Sequence, residues 1–524
     1  MTTKINHSRR EFIRKTALLS AATSIGAPFA LDLFKMNLAA AATTVTGYKA
    51  LVCVYLAGGN DHNNMVIATD GASSNPAVTP STGSWAGYLA ARDVGGNASI
   101  ALMNANRTPR VAGITHTYNS VNNKLGFTNV GRFFGLHPSM APMQNLFSTG
   151  KAAIVANVGP LIEPILNKGA YSSATKPRNL FSHSDQTAQW HASQNDTSRG
   201  WGGRLAEQLI GNNSKPNFTC LSLSGNTVFL SGTNVNQYQI NSNGSATEIQ
   251  GLRAGSQLFG VTVDSGGQPF KNIITPSPSN FFEIDHAAIV QRAIDARTDL
   301  NDVMQATVTA TATTPDGPLP VPAAPTIGAG AYINPLTGLE GETNPLATQL
   351  RTVARLIAGR NILTARRQIF FVALGGFDTH DAQLNSHSVQ MARLAHAANY
   401  FNSALVSLPG GDMSSNVTLF TASDFGRTFT SNGDGTDHGW GAHHFVVGGA
   451  VNGGDIYGSF PDTVLGHNLD VGSGSLIPQI SVDQYAATMA KWFGLDPAIN
   501  TDLSAVFPNL GAFLVPDLGF MKPA

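Results

Sequence analysis

Three stretches of this chain place carboxylates and imidazoles directly behind an apolar run and a glycine. Residues 50–57 lead into Gly58-Gly59-Asn60-Asp61-His62, and residues 368–374 lead into Gly375-Gly376-Phe377-Asp378-Thr379-His380. Residues 417–420 lead into Ser423-Asp424-Phe425-Gly426-Arg427, followed by Asp437-His438-Gly439-Trp440 and His443-His444. Apolar runs of this length read as buried strands, and open α/β sheets bind ligands at the ends of such strands. Mixed oxygen and nitrogen donors suit a divalent cation, whether zinc, manganese, magnesium or calcium. We therefore take Asp61, Asp378, His380, Asp424 and His438 as the expected metal ligands.

Phe181-Ser182-His183-Ser184-Asp185 opens a helical stretch and makes Ser182 the candidate nucleophile, with His183 beside it. Arg427 is the candidate for holding an oxyanion, because guanidinium binds such groups with two parallel hydrogen bonds. Each has a plainer alternative. Ser182 can be a helix cap, Asp424 and Arg427 can form an ion pair within a loop, and Asp61 and Asp378 can cap turns after strands. In the strand-like run that begins at His443 and His444, alternation lets only one imidazole face a site. His137 reads as a loop-ordering residue, and Trp201, Trp440 and Trp492 as packing.

Positioning such a site requires strands that alternate with helices. Helical periodicity over residues 140–147 precedes a strand at 151–158, residues 345–359 precede the strand at 368, and residues 389–408 precede the strand at 417. Helices are also read at residues 281–305 and 482–493. This alternation predicts an α/β fold with a mostly parallel central sheet flanked by helices. Residues 70–130, rich in Gly, Asn, Ser and Thr, read as an elaborated loop insertion. Residues 215–280 read as a small β-rich insertion, and about 306–344 as a low-complexity connector. Residues 43–524 are then one large domain.

Residues 1–42 read as a signal peptide. Ser8-Arg9-Arg10-Glu11-Phe12 precedes a short apolar stretch and an alanine-rich zone ending at Ala42, the layout of a twin-arginine signal. The apolar stretch falls short of the ~20 residues of a membrane span, so the chain is expected in the periplasm or secreted, with the twin-arginine translocase as a partner and no integral span. Lys plus Arg equals Asp plus Glu, at 32 each, which argues against nucleic acid as a partner. Cys53 and Cys220 each lie inside an apolar run and read as separate buried hydrophobes.

Together these motifs resemble the bacterial family known as domain of unknown function 1501, which belongs by fold with the alkaline phosphatase and sulfatase superfamily. The resemblance rests on residues 56–61, Leu136-His137-Pro138, Ser182-His183, Gly200-Trp201-Gly202-Gly203-Arg204, residues 376–380, residues 423–428, Asp437-His438-Gly439-Trp440-Gly441 and Phe507-Pro508-Asn509-Leu510. It implies an alkaline phosphatase-like fold and a metal-dependent hydrolase of phosphate or sulfate esters, with a small anionic ester as substrate. Two departures stand out. Phe425 occupies the place where the superfamily's phosphatases carry a histidine, and Asp378 and His380 are more closely spaced than their aspartate and histidine pair. A single metal, or a differently built centre, is expected rather than a two-zinc one. The alternative is a non-catalytic, envelope-associated binding or assembly protein that keeps the fold.

Overall fold

The computed structural model describes residues 45–71, 84–116, 122–125, 129–194, 198–245, 257–258, 261–262, 271, 274, 281–306, 334–336, 343–408, 411–495 and 503–523. The segment expected as a signal peptide and most of the low-complexity connector fall outside the described residues. The strands are β1 (Lys49–Leu56), β2 (Val66–Ala68), β3 (Ala112–Ile114), β4 (Phe134–Leu136), β5 (Ala152–Gly159), β6 (Cys220–Ser222), β7 (Tyr238–Gln239), β8 (Gln257–Leu258), β9 (Val261–Thr262), β10 (Arg367–Leu374), β11 (Val417–Ser423), β12 (Ala442–Val447), β13 (Ile456–Tyr457) and β14 (Ile480–Ser481).

Nine of them form one sheet in the order β13-β5-β12-β11-β1-β10-β6-β7, with β14 also paired to β5. All pairs are parallel except those of β12, which runs antiparallel to β11 and β5. The sheet is therefore mixed and mostly parallel. Its central strand explains the layering. In β1, Ala50, Val52, Val54 and Leu56 belong to one buried cluster, while Leu51, Cys53 and Tyr55 belong to another on the opposite face. A strand covered on both sides reads as a continuous apolar run, which is why no polar alternation marks it.

One face is covered by helices Ala141–Ser148, Pro345–Ala358 and Gln383–Val406, the other by Trp201–Leu209 and Val482–Phe493. Asn344 caps Pro345–Ala358 by accepting from the backbone N–H groups of Leu346 and Ala347. Ser481 and Gln484 form a capping box at Val482–Phe493, and Gly494, at φ +124°, ends it.

The register matters most for the site. Leu56 lies opposite Leu374 of β10 and Ser423 of β11, so the three strands finish level. Whatever follows them in sequence must leave the sheet at the same edge.

Two regions differ from the sequence expectation. Within 70–130 lies the helix Ser84–Arg92, where Trp85, Tyr88 and Leu89 pack with Ile67 and Phe429 into a small core, next to an antiparallel sheet of β2, β4 and β3. Within 215–280, β6 and β7 extend the main sheet in parallel, while, among the described residues, β8 and β9 pair on their own. Cys53 and Cys220 are both free and buried. Among the described residues, no helix is long and apolar enough to cross a membrane.

The helix Ser84–Arg92 is tied to the sheet by a buried ion pair. Arg92 donates from Nη1 to Asp61 Oδ2 (2.5 Å) and from Nη2 to Asp61 Oδ1 (2.9 Å), and both side chains are fully buried. Removing one partner strands a buried charge. Arg92→Met is expected to lower unfolding free energy by about 3–5 kcal/mol, whereas Lys124→Met, at the exposed pair with Asp517, should change it by less than about 1 kcal/mol. Denaturant unfolding of the two variants checks this contrast.

Candidate metal centre

The glycines after β1 permit the close approach that the site needs. Gly58 has φ +116°, and a Cβ there would lie 2.4 Å from the Asp378 backbone nitrogen. Gly59 has φ +79°, and a Cβ would lie 2.3 Å from the Phe425 ring. A side chain at either position would force the three strand-end segments apart. In the observed packing the Gly58 N–H donates to Asp424 Oδ1 (3.0 Å) and its carbonyl accepts from Arg427 Nη1 (3.2 Å).

Three imidazoles converge on Asp378. His183, the first residue of helix His183–Ala192, has Nδ1 at 2.7 Å from Asp424 Oδ2. A carboxylate oxygen accepts, so Nδ1 carries a proton, and in the neutral ring Nε2 then keeps its lone pair. That Nε2 is buried without a hydrogen-bond partner and stands 3.5 Å from Asp378 Oδ2. His438 Nδ1 lies 2.8 Å from the Phe181 carbonyl, again a pure acceptor, which leaves the Nε2 lone pair turned towards His380, 3.5 Å from Asp378 Oδ1. His380 places Nε2 at 3.1 Å from Asp378 Oδ1 and 2.9 Å from His438 Nε2, with Nδ1 at 3.4 Å from Asp437 Oδ1.

An imidazole whose Nδ1–H is held by an oxygen and whose Nε2 is bare is the arrangement of a histidine that binds a metal. His183, Asp378 and His438 each offer one ligand atom, and these atoms lie within 4.8 Å of one another. The donor set and the orphaned Nε2 of His183 fit a divalent ion of the zinc or manganese type, with His380 at its edge.

Backbone strain helps to aim this set. Phe181 has φ +72° and Asn179 φ +50°, conformations that cost a non-glycine residue roughly 1–3 kcal/mol. The strained turn presents the Phe181 carbonyl to His438.

Other histidines have the opposite tautomer. Nδ1 of His137, His443 and His467 accepts a backbone N–H, from Ser139, Asn157 and Leu469 respectively, which leaves the proton on Nε2. These three are donors, not ligands. His443 packs against His62 and Phe460 and His444 against Trp190 and Tyr485, so the two neighbours face opposite sides of β12.

Of the five ligands expected from sequence, Asp378, His380 and His438 come together. Asp424 stands one step behind them, holding His183. Asp61 is not brought to the cluster: it is fully buried and paired with Arg92, and it caps the short helix His62–Met65. The expectation failed there because the partner, Arg92, lies in a stretch that reads as loop.

Ser182 caps the helix, its hydroxyl 2.6 Å from Asp185 Oδ2. Arg427 is fully buried and pairs with Asp378 Oδ1 at 2.9 Å, not with Asp424. Phe425 lays its ring against His183 and His438, with centroids at 4.7 and 4.6 Å. His183, read from sequence as a catalytic neighbour of Ser182, takes a ligand's geometry instead. Only the pairing with Asp424, 241 positions away, reveals this.

Charge at the centre is governed by burial and by Arg427. Partial burial alone would raise the Asp378 carboxyl, but the hydrogen bond and charge of Arg427, with His183 and His380 nearby, hold it below its ordinary value. Burial lowers His438 against the opposing hydrogen bond to the Phe181 carbonyl, and the neighbouring His183, Arg427 and His380 add to the lowering.

The fold and site define an α/β protein with a cluster of histidines and an aspartate at level strand ends. The chain belongs to the family described as a protein of unknown function (DUF1501), whose model matches residues 48–502. No curated protein and no solved structure matches the chain significantly.

The buried imidazoles predict how stability depends on pH. Burial drives His191 and His387 down to about 4 and His444 down to about 3, and pushes His62 and His443 well below 6.5. The unfolded chain therefore binds more protons than the folded one below pH 6.5, and stability must fall as pH drops from 6.5 towards 4. Asp61 works in the same direction at lower pH: burial alone would raise it, but Arg92 depresses it. Urea midpoints measured between about pH 7 and about pH 4.5 should decrease steadily; a flat series would contradict this account.

Proposed function

We propose that this chain is an exported, metal-dependent hydrolase of phosphate or sulfate esters. The observation that carries the reading is the set of three Nε2 atoms turned towards one aspartate, two of them with their Nδ1 protons held by oxygen acceptors. His183, His438 and Asp378 would hold the ion, with His380 beside them. When bound, a divalent ion supplies Lewis-acid stabilisation of the charge that develops on a phosphoryl or sulfuryl oxygen.

The chain's own groups have distinct tasks. Asp424 and the Phe181 carbonyl fix the tautomers of His183 and His438. Arg427 makes four hydrogen bonds from a buried position, so it steadies Asp378 and does not grip substrate. His380 is 40% exposed at the edge of the set, its Nε2 within reach of both Asp378 and His438, a placement that suits orienting an attacking water. Ser182, engaged with Asp185, serves as the cap. Export rests on the paired arginines and apolar stretch at the N-terminus, with the twin-arginine translocase as the implied partner.

Phe425 favours one second reading. Its ring fills the space beside His183 and His438 where a further ligand would sit, as expected of an envelope-associated binding or assembly protein that keeps the ion without turnover.

The test is metal analysis of the mature chain purified without chelator, then assays on aryl phosphates and aryl sulfates with added divalent ions. His183→Ala, His438→Ala and Asp378→Asn should each lower turnover at least about 100-fold, while Ser182→Ala should retain most of it. Bound metal without turnover on either ester class would leave the second reading.

A further inference from the structure

We propose that Gln383 and Thr436 are positioning residues for Asp378, acting through Arg427 at the end of a buried hydrogen-bond line that begins at Arg92 and Asp61. This inference rests on the metal reading above and concerns what keeps the ligand aspartate in place.

The polarity of the line is dictated from its buried end. Asp61, already paired with Arg92, can only accept, so the Gln383 group 2.6 Å from its Oδ2 must be the amide Nε2. That fixes the amide and turns Gln383 Oε1 towards two threonine hydroxyls, Thr436 Oγ1 at 2.6 Å and Thr379 Oγ1 at 3.0 Å. With its proton committed to Gln383, the Thr436 hydroxyl has only a lone pair to offer, and Arg427 Nε donates to it at 2.9 Å. Arg427 Nη2 donates to the Thr436 carbonyl, and Nη1 to Asp378 Oδ1 at 2.9 Å.

Each step leaves the next group one available role, so the guanidinium plane is set without an alternative. Arg92, Asp61, Gln383, Thr436 and Arg427 are all fully buried, whereas the Asp378 side chain is 47% exposed. The line thus anchors one oxygen of a half-exposed carboxylate and leaves Oδ2 facing His183. It also gives Asp61 a task at a distance: the acid behind β1 orients the centre instead of binding the ion.

Thr436→Val keeps the shape and removes the hydroxyl; Thr436→Ser keeps the hydroxyl and removes a methyl. The probe is Co2+, titrated into the metal-free mature chain and followed by its visible absorption. Thr436→Val should weaken Co2+ binding about 10- to 100-fold, and Thr436→Ser should bind close to wild type. Gln383→Leu, which breaks the line one residue earlier, should weaken it in the same direction and serves if Thr436→Val fails to fold. Wild-type affinity in folded Thr436→Val or Gln383→Leu, or a Thr436→Ser as weak as Thr436→Val, overturns the positioning role alone. A wild-type chain that takes up no Co2+ overturns the metal reading and this inference with it.

Discussion

A neutral imidazole has one proton for two nitrogens, and whichever atom holds that proton decides what the other can do. At the strand ends of this protein the proton of His183 is committed to Asp424 and that of His438 to the Phe181 carbonyl. Each ring then keeps a lone pair at Nε2 beside one carboxylate, that of His183 without a partner and that of His438 facing His380. Elsewhere in the chain, at His137, His443 and His467, a backbone N–H occupies Nδ1 and the reverse holds. The same side chain offers a lone pair in one setting and a proton in the other, and its partner at Nδ1 distinguishes them.

That arrangement depends on the sheet. Parallel pairing of β1 with β10 and β11 brings the three strands to a level end, and two glycines in left-handed conformations let the segments beyond them touch. Charges gathered this way need compensation in a region of low dielectric. Two guanidiniums provide it: Arg92 for Asp61 deep in the protein and Arg427 for Asp378 at the mouth. The helix that supplies Arg92 belongs to an insertion, so the insertion is part of the support for the site.

Much of this was legible in the sequence, and the limits have physical causes. Strands β1, β10 and β11 announce themselves because burial on both faces demands unbroken apolar runs. The acids and imidazoles behind them are visible because each run gives way to a short segment that holds glycine beside them. Partnership is what a sequence conceals. Asp61 looks like a ligand until Arg92 is found against it, and Arg92 sits in a helix whose glycine and polar surroundings resemble loop. His183 looks like a helper of Ser182 because the two are adjacent, yet its working contact is Asp424. Strands β6 and β7 are too short to show which sheet they join. Phe425 was visible as a departure, but its packing against two imidazoles was not. Membership of the DUF1501 family, over residues 48–502, was readable from the motifs themselves.

The most direct measurement is anomalous X-ray diffraction, at the absorption edges of zinc and manganese, from crystals of the protein purified without chelator. A single peak bounded by His183 Nε2, His438 Nε2 and Asp378 is the result this account predicts. Crystals that bind neither ion, or bind one away from those three side chains, would contradict it.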